Sequence, residues 1–85
     1  MGDMIYQWNP KKNDELKSKD RPSFEDAVKA MNTNIIIADF KNPNYSTQRI
    51  TVVLINNYPH AVVYEIRGKV VWLVTVYPTR KFKKR

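Results

Sequence analysis

The run Val70-Val71-Trp72-Leu73-Val74-Thr75-Val76-Tyr77 constrains this chain more than any other stretch. β-Branched and aromatic residues fill it almost without a break, which predicts a central sheet strand buried on both faces. Pro78 has no N–H to give to a ladder, so the strand is expected to stop there. Beyond it the chemistry inverts, and five of the last six residues are Lys or Arg. No Asp or Glu follows Glu65, so residues 66–85 carry a charge of +7, equal to the net charge of the whole chain. A strand therefore hands the chain to a cationic cluster, and a polyanion is the expected partner of that end.

The 85 residues make one small domain spanning 1–85, able to bury roughly 60% of its unfolded surface. A stability of about 5 kcal/mol is expected for such a chain. With 42% hydrophobic and 12% aromatic residues it is a globular composition, despite a mean hydropathy of -0.57. There is no cysteine, so disulfides and thiolate metal sites are excluded, which fits a reducing cytoplasm. No signal-peptide core and no membrane-length apolar run is present. A pI near 9.8 favours nucleic acid as partner, although an acidic protein satisfies the same field.

Met1-Gly2-Asp3 read as an unstructured start and Met4–Trp8 as a short β-prone segment. Asn9-Pro10 offers an N-cap and a first-turn proline for a mostly solvated helix over 11–19, whose main apolar residue is Leu16. Ser23 with Asp26 is a capping-box start. Phe24, Ala27, Val28 and Met31 then share one helix face, and Asn32-Thr33-Asn34 ends it. Residues 35–40 read as a strand, 41–47 as the longest loop, and 48–55 as a second long strand. A turn over Asn56–Pro59 leads to a strand over His60–Arg67, and Arg67-Gly68-Lys69 makes a tight hairpin into the final strand. The expected fold is α+β: two N-terminal helices packed on a four- to five-stranded, mostly antiparallel sheet.

Catalytic chemistry is narrowed by residue type. His60 is the single histidine and the carboxylates are scattered, so no metal-ligand spacing, Cys or Ser/His triad is readable. Gly2 and Gly68 are the only glycines, which excludes a phosphate loop, and no cofactor is expected. Lys and Arg remain. Arg49 interrupts the start of an apolar strand and Arg80 lies just past the end of another. A guanidinium there holds a phosphate bidentately, or, for Arg49, pairs with Asp39 or Glu65. Arg67, Lys81, Lys83 and Lys84 are the expected RNA-phosphate contacts, with Arg85 adding to the tail. Trp8, Trp72, Tyr77 and Tyr45 offer rings for base stacking. Trp72 is expected in the core, and Tyr45, in the Asn-rich loop, is expected at the surface.

The order of short signatures goes further. Trp8-Asn9-Pro10-Lys11-Lys12-Asn13, Leu16-Lys17 and Lys19-Asp20-Arg21-Pro22-Ser23-Phe24-Glu25 resemble the opening of BrnT-type toxins. Those begin with Trp-Asp-x-x-Lys and continue with Lys-His-Gly-x-Ser-Phe-Glu. Gln48-Arg49-Ile50 and Pro78-Thr79-Arg80-Lys81 resemble the family's Arg-bearing strand and closing Ser-x-Arg segment, and Asn42-Pro43-Asn44 resembles the Pro-Asn loop of one branch. The likeness runs from about residue 4 to the end. It implies a metal-independent ribonuclease toxin of a type II toxin–antitoxin pair with a RelE-like fold. It also implies a ribbon-helix-helix antitoxin as partner in a heterotetramer or larger assembly. By position, Lys19, Arg49 and Arg80 match the motifs' basic residues and are the expected catalytic groups. Trp8 matches the aromatic. Asp20 and Arg21 stand where the motif has His and Gly, which leaves that His role vacant. Glu65 and Asp20 are then the carboxylates to test as general base. A non-catalytic RNA-binding module, or a degenerate toxin that only binds its antitoxin, is the competing expectation.

Overall fold

A computed structural model of the chain describes residues 4–33 and 35–82. The elements in order are β1 (Ile5–Trp8), α1 (Pro10–Ser18), α2 (Phe24–Thr33), β2 (Ile36–Lys41), β3 (Gln48–Ile55), β4 (Tyr58–Arg67), β5 (Val70–Pro78) and a 3₁₀ turn (Arg80–Phe82). The fold is α+β, with two helices and a five-stranded sheet ordered β1-β5-β4-β3-β2. β2 to β5 form an antiparallel meander, and β1 returns parallel to β5. Among the described residues no helix is long and apolar enough to cross a membrane.

The helix starts follow local chemistry. Asn9 Oδ1 accepts the Lys11 N–H at 2.9 Å, with Pro10 in the first turn. Ser23 and Asp26 close a reciprocal box: Ser23 Oγ accepts the Asp26 N–H at 3.1 Å, and Asp26 Oδ2 accepts the Ser23 N–H at 3.2 Å. Asn13 adds a tie that spacing did not reveal. It is buried in α1, and its Oδ1 accepts the Phe24 N–H at 2.7 Å while its Nδ2 donates to Glu25 at 2.9 Å. One amide thus joins α1 to the first turn of α2.

Leu16, Phe24, Ala27 and Ala30 lie in one buried cluster with Val53, Val62, Leu73 and Val76 of the sheet. Tyr6, Trp8, Val28 and Met31 pack against its margin, and the Trp8 and Phe24 rings stand 5.8 Å apart. A second, smaller cluster of Ile50, Val52, Ala61 and Val63 packs with Ala38 and Val74. These residues alternate with Thr51, Val53 and Val62 along β3 and β4, so they occupy the opposite face of the sheet.

Three expectations are corrected. The strands buried on both faces are β3 and β4, whereas β5 alternates buried with half-buried residues. Its apolar run looks continuous because a bulge interrupts the alternation. Val63 pairs with Thr75 and Tyr64 with Leu73, leaving Val74 as the extra residue and shifting the buried set from Val71 and Leu73 to Val76. Trp72 is consequently half-buried, outside the main cluster, with the Arg67 guanidinium 4.9 Å above its ring. The turn after β3 is also shorter than expected. Asn56 and Asn57 take φ of 55° and 65°, which closes a two-residue hairpin and leaves Pro59 inside β4 opposite Leu54.

Candidate nucleic-acid interface

The face of the sheet away from the helices carries a groove of about 730 Å³. Ile50, Val52, Ala61 and Val63 form its floor, between Phe40 on the edge strand β2 and Tyr77 on β5. The β2–β3 loop closes one end with Asn42, Pro43, Asn44 and Tyr45, and Thr79 and Lys81 stand in the other lining. Among the described residues no carboxylate lines it. For a chain with a net charge of +7, this gives a concave surface whose one charged wall residue, among those described, is a lysine.

The loop holding Tyr45 is fixed by its own hydrogen bonds. Asn42 donates its N–H to the Gln48 carbonyl at 2.9 Å, and its Oδ1 accepts the Asn44 N–H at 2.9 Å in an Asx turn. The Gln48 N–H reaches the Tyr45 carbonyl at 3.0 Å, and Asn42 Nδ2 reaches Gln48 Oε1 at 3.1 Å. Tyr45 is 61% exposed, so its ring is presented rather than packed away. At the far end Thr79 donates its N–H to the Pro59 carbonyl at 3.0 Å, anchoring the chain as it enters the 3₁₀ turn. Arg80 and Lys81 are exposed there, and among the described residues neither makes an ion pair.

The expected site residues are distributed unevenly around this groove. Tyr45 and Lys81 line it and Arg80 adjoins Lys81. Arg49 does not belong to it. It alternates with Gln48 and Ile50, so it faces the helix side. There its Nε and Nη2 donate to Asp39 Oδ1 at 3.0 and 2.7 Å, and Asp39 Oδ2 accepts the Tyr64 hydroxyl at 3.1 Å. The hydrogen bond to Asp39 raises the Arg49 pKa, while burial, followed by Asp39, raises that of Tyr64. Of the two partners open to Arg49, the strand register selects Asp39. Arg49 and Arg80 also stand toward opposite ends of the sheet. Arg49 pairs with Tyr64, whereas Pro78, two residues before Arg80, pairs with His60.

Lys19 caps the C-terminus of α1 through its backbone, its N–H shared between the Glu15 and Leu16 carbonyls at 3.1 and 3.2 Å. Its ammonium makes no ion pair among the described residues. Arg67 is engaged by Glu65 at 2.9 Å as well as by Trp72. Lys83, Lys84 and Arg85 lie outside the described residues, as do Met1–Asp3 and Asn34.

The proposed bases fare differently. The hydrogen bond from Arg67 holds the Glu65 carboxyl below the usual range, and Thr47 Oγ1 also donates to it at 3.4 Å. That direction makes Glu65 a poorer proton acceptor. Asp20 occupies a left-handed turn after α1, at φ 60°. His60 is buried, with Nδ1 2.8 Å from the Tyr58 carbonyl, which assigns the proton to Nδ1. Among the described residues no group of three or more His, Cys, Asp or Glu is placed to hold a metal ion.

Phe40, Asn42 and Thr79 are groove residues that sequence reasoning missed. The available signal was the apolar character of residues 50–55 at both parities, set beside helices with apolar residues enough for one face. Compared with known proteins, the chain matches no family model, no curated protein and no solved structure.

Proposed function

We propose that this chain binds RNA through the face of its sheet opposite the helices. The observation that carries this reading is the groove itself, which combines Lys81 and the presented Tyr45 ring in a lining that, among the described residues, holds no carboxylate. Cations placed beside exposed rings suit a phosphate backbone with bases attached, because phosphates meet the charge and bases meet the π-faces. Arg80 extends the same charge beyond the groove's end.

A second reading goes further and rests on the ordered motifs resembling BrnT-type toxins. In it the chain is a RelE-like, metal-independent ribonuclease toxin held by a ribbon-helix-helix antitoxin. The RNA 2′-hydroxyl attacks the adjacent phosphorus and the bond to the 5′-oxygen breaks. The products are a 2′,3′-cyclic phosphate and a 5′-hydroxyl end. Arg80 is favoured as the group stabilising charge on the phosphorus oxygens, because it is exposed and free of ion pairs among the described residues. Arg49 is already neutralised by Asp39.

One experiment separates the two. RNA incubated with the protein in excess EDTA is scored for binding and for cyclic-phosphate ends. Cleavage that falls about 10²- to 10³-fold in Arg80→Ala, with unchanged melting, supports the toxin reading. RNA that is bound and left intact supports the binding module alone. RNA that is neither bound nor cut contradicts both.

A further inference from the structure

We infer that the groove is a nucleobase slot, which takes the unpaired bases of a single strand and excludes duplex. This rests on the reading that the open face binds RNA. The slot has the parts that base contact requires and that backbone contact does not. A lining for phosphate alone needs cations and polar donors, but no apolar floor and no rings. Here the charged lining residue among those described is Lys81, and an apolar floor is bordered by three aromatic side chains, Phe40, Tyr45 and Tyr77, with the neutral Asn42, Asn44, Gln48, Thr75 and Thr79 between them.

The rings are spread too widely to stack on one base. Phe40 lies on β2 and Tyr77 on β5, three strand spacings apart in the sheet order, or roughly 14 Å. Tyr45 adjoins the Gln48 end of β3, and Tyr77 shares a row with Ala61 and Val52. That separates the two tyrosines by four residues along the strand, roughly 13 Å. Tyr45 and Tyr77 are therefore separate platforms, and the groove accommodates more than one nucleotide. The Tyr45 platform is preorganised by the Asn42 and Gln48 hydrogen bonds of its loop, so presenting it costs little ordering on binding.

Duplex RNA cannot use these features. Its bases are stacked inside, its major groove is too deep and narrow for side chains, and its shallow minor groove offers edges and hydroxyls instead of π-faces. A single strand offers a π-face on every base, with tolerance for sequence. The cations at Arg80 and Lys81 then receive the backbone as it leaves the slot.

The test compares three probes by fluorescence anisotropy: a short single-stranded RNA, the same RNA annealed to its complement, and a ribose-phosphate strand of equal length lacking bases. The single strand is expected to bind more tightly than either of the others. Tyr45→Ala is expected to weaken single-strand binding by about 5- to 150-fold, the scale of one lost stacking contact, and to leave binding of the abasic strand unchanged. Tyr45→Phe keeps the ring and is expected to retain binding. Because Tyr45 is 61% exposed, neither variant threatens the fold, and melting curves check this. Equal, salt-sensitive binding of the intact and abasic strands overturns the slot and leaves RNA binding standing. Preference for duplex also overturns the slot. Failure of all three probes to bind overturns the slot and the RNA reading together.

Discussion

The two faces of the sheet are built from similar residues and meet different fates. On one, Val53, Val62, Leu73 and Val76 are sealed under Leu16, Phe24 and Ala27 of the helices. On the other, Ile50, Val52, Ala61 and Val63 make a smaller apolar layer that ends in a groove. The difference lies in the helices. α2 buries Phe24, Ala27 and Ala30 along one stripe, and α1 contributes Leu16 and the polar Asn13. That is apolar surface for one face of a five-stranded sheet. The open layer is consequently where apolar surface and rings stay accessible, around a lining that among the described residues holds no carboxylate, as the proposed RNA reading requires.

Truncation on each face measures the contrast, and the largest effect is expected under the helices. Phe24→Ala removes a fully buried ring at the centre of the sealed cluster, with an expected loss of about 3–5 kcal/mol. For a small domain that consumes most of the stability, so the variant is expected to be largely unfolded at room temperature by circular dichroism. Ile50→Ala on the groove floor is expected to cost about 2 kcal/mol, near the bottom of the range for such changes, because the space it vacates opens into the groove. Equal losses at the two positions contradict the distinction between a sealed and an open face.

A smaller effect tests how the sealing helices are held. Asn13→Ala leaves the Phe24 N–H without its acceptor, for an expected cost of about 1–3 kcal/mol. In a domain of this size each kcal/mol lowers Tm by about 4–8 °C. The pH dependence follows from Glu25, whose carboxyl is held below its usual pKa chiefly by the Asn13 hydrogen bond. A lowered folded-state pKa stabilises above the unfolded value and is lost as pH falls through the folded one. The gap in Tm between wild type and Asn13→Ala is therefore expected to narrow below about pH 4. A gap that widens in acid contradicts this account of the tie.

What the sequence made legible was mostly local. The Asn9-Pro10 start and the Ser23–Asp26 box each depend on residues a few positions apart, and both form as read. The α+β class and the order of the meander followed from strand-forming runs separated by turn residues. What escaped depended on register. Whether Arg49 meets Asp39 or Glu65 is decided by strand parity, which puts Arg49 and Asp39 toward the helices and Glu65 beside Gln48 on the other face. The bulge at Val74, which takes Trp72 out of the main core, exists only in the pairing of β4 with β5. The groove escaped for the same reason, since it joins Tyr45 and Lys81 across a loop and a strand end far apart in the chain. The ordered motifs supplied a catalytic set, yet the fold brings Arg80, not Arg49, beside that groove.

The central claim is that the open face receives RNA, and amide chemical-shift mapping tests it most directly. A short single-stranded RNA is titrated into the ¹⁵N-labelled protein at two salt concentrations. The account predicts shifts concentrated at Asn42–Tyr45, at Ala61–Val63 and from Thr75 to Lys81, weakening as salt rises. Shifts confined to α1 and α2, or to the Arg49–Asp39 side of the sheet, contradict it.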